Sequence, residues 1–222
     1  MEKTVLLVGV PNCGKSALFC RLTGGHARVG NFAGVTVERR EGRLRGSHVR
    51  VSDTPGICSL TPTRAEEAVT CDAIRERPAL IVQVIDGAAP LRSFRLAREL
   101  CGRGLPLLFA VSRADLYRAR GRAPDTAAVA AALGAPVIAV SSHDGAGVDA
   151  LRRAILSAVG ETANGEERIK TDDGVTPEKP GATVTIKKNG NAAPTGHDRL
   201  PRYAAGTVDD ERRRAEAKGA LH

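Results

Sequence analysis

The sequence predicts an α/β fold: a mainly parallel sheet with one antiparallel edge strand and helices on both faces. Three observations carry this prediction. A glycine-rich string, Gly9-Val10-Pro11-Asn12-Cys13-Gly14-Lys15-Ser16, lies between an apolar β-rich run at 4–8 and a helical run at 17–22. Buried-type apolar runs recur at 80–85, 106–111 and 136–140, with helical patterns at 91–100 and 148–159 and an Ala-rich helix at 125–133. Strands alternating with helices build a parallel sheet with right-handed crossovers. A strand at 38–44, a turn near Gly46-Ser47 and a strand at 48–52 with alternating apolar residues read as an antiparallel hairpin, which supplies the antiparallel strand.

The first of these elements defines chemistry as well as fold. The string at 9–16 fits G-x-x-x-x-G-K-[ST], and its strand and helix flanks are the context that gives the pattern meaning. In strand–loop–helix geometry the backbone N–H groups of Asn12 to Ser16 point into one concavity at a helix N-terminus. Lys15 then reaches β- and γ-phosphates and the Ser16 hydroxyl is placed to ligate Mg²⁺. The architecture is therefore read as a P-loop NTPase.

Next along the chain, residues 28–40 contain Gly30 and Gly34 and read as a loop without an element of its own. The strand at 48–52 runs into Asp53-Thr54-Pro55-Gly56. A carboxylate at the C-terminal end of a strand, followed by a glycine turn, stands where open α/β sheets place ligand groups. Asp53 is accordingly a candidate Mg²⁺ ligand and the Gly56 N–H a candidate donor to a γ-phosphate. The competing reading is an ordinary Asp-x-Pro-Gly turn. The strand at 80–85 closes on Asp86-Gly87, that at 106–111 on Ser112-Arg113-Ala114-Asp115, and that at 136–140 on Ser141-Ser142.

Composition bounds the remaining classes. With 222 residues, 42% hydrophobic and 3% aromatic, the chain has room for one ordinary α/β domain with a core of Val, Leu, Ile and Ala. No apolar run approaches the roughly 18 residues of a membrane span, and the expected location is cytoplasmic. The five cysteines have no C-x-x-C spacing, so neither disulfides nor a zinc site is indicated. Residues 1–160 hold 22 Lys and Arg against 14 Asp and Glu, whereas 161–222 hold 11 of each. A basic domain of this kind suits a polyanion, yet it lacks an RNA-binding signature and aromatics for stacking, so nucleic acid is a minor alternative. Residues 161–222 are polar with isolated apolar residues and are expected to be a disordered tail, with only a strand at 183–187 and a charged helix at 207–218 as candidate elements.

The motifs stand in the order of Ras-like GTPases: the phosphate loop at 9–16, a switch-I Thr36, D-x-x-G at 53–56, a base-recognition element at 112–115, and Ser141-Ser142. Within that superfamily VGNFAGVTVE (29–38), DTPGICSL (53–60) and SSHDGAGVDAL (141–151) resemble the cytosolic G domain of the ferrous iron transport protein B family, FeoB. The resemblance covers about residues 3–158. It implies a GTP-binding domain over 1–160 that hydrolyses GTP slowly as a switch, with Lys15, Thr36 and Gly56 catalytic. Nucleotide contacts would come from Gly9, Pro11, Asn12, Cys13, Gly14, Lys15, Ser16 and Ala17, from Gly34, Val35 and Thr36, from Asp53 and Gly56, from Ser112, Arg113 and Asp115, and from Ser141 and Ser142. Mg²⁺ would be held by Ser16, Thr36 and Asp53. In related GTPases an Asn at the place of Asn12 is associated with K⁺, here caged with carbonyls of 30–33; the alternative is that Asn12 bonds its own loop.

Several departures from the family pattern bear on these implications. Ser112 stands where the family has Asn, and it is too short to span the same gap, so reduced guanine affinity is expected. Asp115 would accept from guanine N1–H and N2–H₂, and its alternative role is a helix N-cap. Ile57 replaces the water-orienting Gln of Ras-type enzymes, which motivates an alternative function as a guanine-nucleotide-binding module without useful hydrolysis. Arg28, Arg39 and Arg40 are read as solvated charges, with an internal arginine finger as the alternative. A ribosome- or RNA-associated GTPase is the remaining alternative. The family's helical domain and membrane permease have no counterpart in the polar tail, so the implied partners are GTP or GDP, an iron permease or other membrane partner holding the domain at the inner face of the membrane, and a second copy through the switch loops.

Overall fold

The computed structural model describes residues 3–31 and 38–161. Gly34, Val35, Thr36 and the elements expected at 183–187 and 207–218 lie outside the described residues. The chain forms β1 (Thr4–Gly9), α1 (Lys15–Thr23), β2 (Arg28–Asn31), β3 (Glu38–Arg43), β4 (Arg50–Asp53), α2 (Ala65–Arg75), β5 (Leu80–Ile85), α3 (Pro90–Cys101), β6 (Leu107–Val111), α4 (Ala114–Arg118), α5 (Thr126–Leu133), β7 (Val137–Ala139) and α6 (Val148–Val159).

The seven strands make one sheet in the order β2-β3-β4-β1-β5-β6-β7. From β4 to β7 all pairings are parallel; β3 runs antiparallel to β4, and β2 pairs antiparallel to β3 at the edge. The mainly parallel sheet with an antiparallel edge is thus as predicted, with one strand more. Residues 28–31 were expected to be loop and instead form β2. All four of its residues are exposed, including Val29, so no apolar alternation marks it and backbone pairing with β3 alone makes it a strand.

Because successive strand residues face opposite sides, β1 feeds two cores. Val5 and Leu7 pack with Leu18, Phe19 and Leu22 of α1 and Leu151 and Ile155 of α6. Leu6 and Val8 pack on the other face with Ile74 of α2, Phe94 and Leu100 of α3, and Val129 of α5. Every residue of β5 and β6 is buried, as continuous apolar runs covered by helices on both faces require.

Sequence reading gave α2 no element. Only Thr70, Cys71 and Ile74 of it are buried, too sparse a stripe to register as a period. Its end charges are the legible signal: Glu66 and Glu67 in the first turn and Arg75 in the last complement the helix dipole. Glu67 also accepts from the N–H and hydroxyl of Thr63 at 2.7 and 2.9 Å, which holds its carboxyl below the usual range.

At Gly147, before α6, φ is 75° and an added Cβ would lie 2.0 Å from the Ala139 carbonyl oxygen. Gly147→Ala is expected to cost about 2–4 kcal/mol, left-handed strain plus overpacking. Gly25→Ala, with φ 80° and no atom within 4 Å, is expected to cost only about 1–2 kcal/mol, from strain alone. Urea unfolding of the two variants measures the difference.

Candidate nucleotide-binding site

The parallel register brings the C-terminal ends of the central strands together: Leu7 lies beside Asp53, and Gly9 beside Val84. The loop from Val10 to Gly14 leaves β1 at that edge and enters α1 with two left-handed residues, Asn12 at φ 64° and Gly14 at φ 90°. Alternating backbone conformations of this kind turn successive N–H groups inward to form an anion-binding concavity. No side chain caps α1, so its first-turn N–H groups have no intrahelical partner and face the same concavity. Pro11, Asn12, Ser16 and Ala17 are exposed around it, while Cys13 and Lys15 are buried. Burial pushes the Cys13 thiol up, against the opposing charge of Lys15.

Lys15 Nζ lies 3.8 Å from Asp53 Oδ1, and both side chains are less than a tenth exposed. That oxygen has no hydrogen-bond partner among the described residues. A buried carboxylate oxygen without a donor is expensive unless a ligand satisfies it, and an oxygen-ligated cation beside the Ser16 hydroxyl would do so. The donor set at this point therefore fits Mg²⁺.

The D-x-x-G turn is tied to β1 at both ends of the motif. Thr54 donates through its hydroxyl to the Leu7 carbonyl at 2.8 Å, and Ile57 N–H donates to the Gly9 carbonyl at 3.0 Å. A Cβ at Gly56 would sit 2.8 Å from the Pro11 backbone, so only glycine lets the two loops approach this closely. Ile57 was expected at the place of a water-orienting residue. The structure buries it completely, in the core with Leu6, Val8 and Phe94, so its side chain points away from the phosphate concavity.

On the opposite side, Ser112 is buried under the phosphate loop, with its Oγ 3.5 Å from the Gly87 N–H. The neighbouring Arg113 ties this loop to the phosphate loop: its Nη2 donates to the Asn12 carbonyl at 2.8 Å, and its Nε lies 3.5 Å from Asp86 Oδ1. Asp115 is half-buried in the first turn of α4; Arg113 holds the N-cap position, and no side chain caps the helix, so the N-cap role expected as the alternative for Asp115 is absent. Ser141 is fully buried, and the loop after it is anchored from two directions. Arg21 on α1 donates to the carbonyls of Ser142 and His143 at 2.8 and 2.6 Å. Asp144 pairs with Arg118, and donation from Ser141 and the Ala146 N–H holds its carboxyl below the usual range, with Arg118 adding to the effect. Arg21 carries no local sequence signal, and only the fold brings it to the site; Asp86 stands at a strand end and Asp144 in the string 141–151, but neither was assigned a role from the sequence.

Strand-end loops converging on a phosphate-loop concavity, with a buried Lys–Asp pair inside it, define a P-loop nucleotide-binding domain. The family model for ferrous iron transport protein B matches residues 3–155, and the chain belongs to that family. It is 38% identical to the Fe(2+) transporter FeoB of Escherichia coli over 159 residues, which is 68% of this chain and 21% of that protein. It is 36% identical over 157 residues to an FeoA/FeoB fusion protein of Porphyromonas gingivalis, covering 69% of this chain and 19% of that one. The chain thus spans about a fifth of the length of these relatives. Among solved structures, the cytosolic domain of the T. maritima FeoB iron transporter in a GDP form superposes with a TM-score of 0.68 at 30% identity, covering 73% of this chain and 65% of that one. The cytosolic domain of L. pneumophila FeoB gives 0.64 at 34% identity, with 69% of each chain covered. Among the described residues no helix is long and apolar enough to cross a membrane.

Two substitutions probe this geometry. Lys15→Ala removes the one buried cation among the described residues of the concavity and is expected to weaken guanine nucleotide binding by at least about 3 kcal/mol, roughly a hundredfold or more, while the far-ultraviolet dichroism is unchanged. Calorimetric titration reads the loss. Ser112→Asn, which restores the longer amide beneath the phosphate loop, is expected to tighten guanine nucleotide binding by about 1–2 kcal/mol in the same titration.

Proposed function

We propose that this chain binds GTP and GDP with Mg²⁺ and hydrolyses GTP slowly, as the nucleotide switch of a ferrous iron uptake system. The observation that carries the reading is the buried Lys15–Asp53 pair, whose Asp53 Oδ1 has no hydrogen-bond donor among the described residues. It is supported by similarity to an FeoB cytosolic domain solved in GDP and GMPPNP forms. Lys15 and the N–H groups of the phosphate loop would hold the β- and γ-phosphates, and the Gly56 N–H would face the γ-phosphate. Ser16, Asp53 and Thr36 would hold Mg²⁺, whose charge offsets that of the phosphates; the role of Thr36 rests on the family resemblance. Asp115 would accept from guanine N1–H and N2–H₂, with Ser141 and Ser142 closing the base side. The G domain is read as 1–160, and a membrane iron permease as the partner through which it acts at the inner face of the membrane.

Catalysis in this reading rests on positioning and charge. With Ile57 in the core, no side chain of the D-x-x-G turn orients water, and turnover is slow. Asn12 is exposed at the rim, its carbonyl taken by Arg113, and its side chain makes no hydrogen bond to the described residues. Its amide oxygen would hold K⁺, which when bound supplies positive charge near the developing β–γ leaving oxygen. The burial of Ile57 also favours a second reading, a binding module that takes up guanine nucleotide without useful hydrolysis.

Multiple-turnover phosphate release in KCl and NaCl at equal ionic strength separates these readings. The expected result is release at least several-fold faster in KCl, with the difference lost in Asn12→Ala. Tight nucleotide binding without phosphate release in either salt would establish the binding module instead.

A further inference from the structure

A cavity of about 210 Å³ lies between α2, the end of α3 and the segment that follows the D-x-x-G turn. Its floor is apolar, formed by Leu60, Cys71, Ile74 and Leu105, and its rim carries three guanidinium groups, Arg75, Arg77 and Arg103. Arg77 and Leu105 immediately precede β5 and β6, so the cavity opens toward the N-terminal edge of the parallel strands, away from the phosphate loop. It belongs to neither the phosphate nor the base side of the site described above.

From these residues we infer that the cavity is a docking site for an acidic–aliphatic peptide segment of a protein partner: an aliphatic side chain on the floor, flanked by Asp or Glu at the rim. Arg77 and Arg103 are exposed and make no ion pair among the described residues, and Arg75 pairs only with Asp72 on its own helix. Arg77 follows the C-cap of α2 with a left-handed backbone, φ 55°, and its N–H closes the helix on the Ile74 carbonyl, which fixes its backbone at the rim. An inorganic anion would satisfy the rim and leave the floor unfilled. The space is of the order that admits one ring-sized apolar group, roughly 150 Å³, which suits a side chain better than the flat surface of a lipid bilayer.

The floor is held in shape for this role. Glu99 of α3 accepts from the Leu60 N–H at 2.6 Å and the Ser59 hydroxyl at 2.9 Å, and the Leu60 carbonyl accepts from the Cys71 thiol at 3.6 Å. Leu60 is thereby fixed between two helices. Burial raises the Cys71 thiol, with the charge of Arg75 the first of those opposing it.

The test is a titration of the isotope-labelled full chain with acetyl-Leu-Glu-Glu-Leu-amide, followed by backbone amide shifts. It needs no nucleotide, so its failure is separate from failure of the GTPase reading. Saturable shifts at Leu60, Cys71, Ile74 and Leu105 are expected, with at least tenfold weaker binding of acetyl-Leu-Gln-Gln-Leu-amide. A similar loss is expected in Arg77→Ala/Arg103→Ala, and in Arg103→Glu should the double variant fold poorly. Equal affinity for the two peptides, shifts confined to other surfaces or no saturable binding would overturn the proposal. Retention on phosphatidylglycerol vesicles without peptide-induced shifts at the floor would overturn it in favour of a lipid surface.

Discussion

Lys15 and Asp53 belong to different elements, yet their charged ends meet in a space from which water is nearly excluded. Removing one partner of such a pair leaves an uncompensated buried charge, a loss of about 3–5 kcal/mol, so the start of α1 and the end of β4 are held as one unit. The rest of the site is arranged around that requirement. Thr54 and Ile57 bond the carbonyls of β1, and Gly56 lets the turn press against Pro11. The pair is 3.8 Å apart, longer than a hydrogen bond, so Asp53 Oδ1 has the Lys15 charge beside it but no hydrogen-bond donor among the described residues. A site with charge already desolvated and one acceptor unsatisfied is prepared for a charged ligand, because binding then completes an arrangement whose desolvation cost has been met by folding.

On the opposite side, the loop after β6 is linked to the phosphate loop by Arg113, the neighbour of Ser112, whose guanidinium reaches both the Asn12 carbonyl and Asp86. A planar fork with five donors can join two acceptors in a way that a short hydroxyl cannot. Asp115, half-buried on the first turn of α4, keeps its carboxylate free of hydrogen bonds and ion pairs to the described residues.

The parts of this structure that were legible in the sequence are those where periodicity and glycine chemistry are local. β1, β5 and β6 are continuous apolar runs, the phosphate loop is a contiguous string, and α3 and α6 have strong apolar stripes. The parts that were not legible depend on partners distant in sequence. β2 exists only through pairing with β3, and α2 hides behind three buried residues. Arg21 reaches 121 residues along the chain to hold the loop after Ser141. Ile57 was legible as a residue unable to orient water, but its burial in the core became visible only with the fold.

The central claim is that these strand-end loops form a guanine nucleotide site. Calorimetric titration of the chain with GDP and with ADP, both in the presence of Mg²⁺, tests it most directly. Saturable binding of GDP with no detectable binding of ADP is expected, because adenine offers Asp115 no N1–H and N2–H₂ donor pair. Equal affinity for the two nucleotides, or binding of neither, would contradict the account.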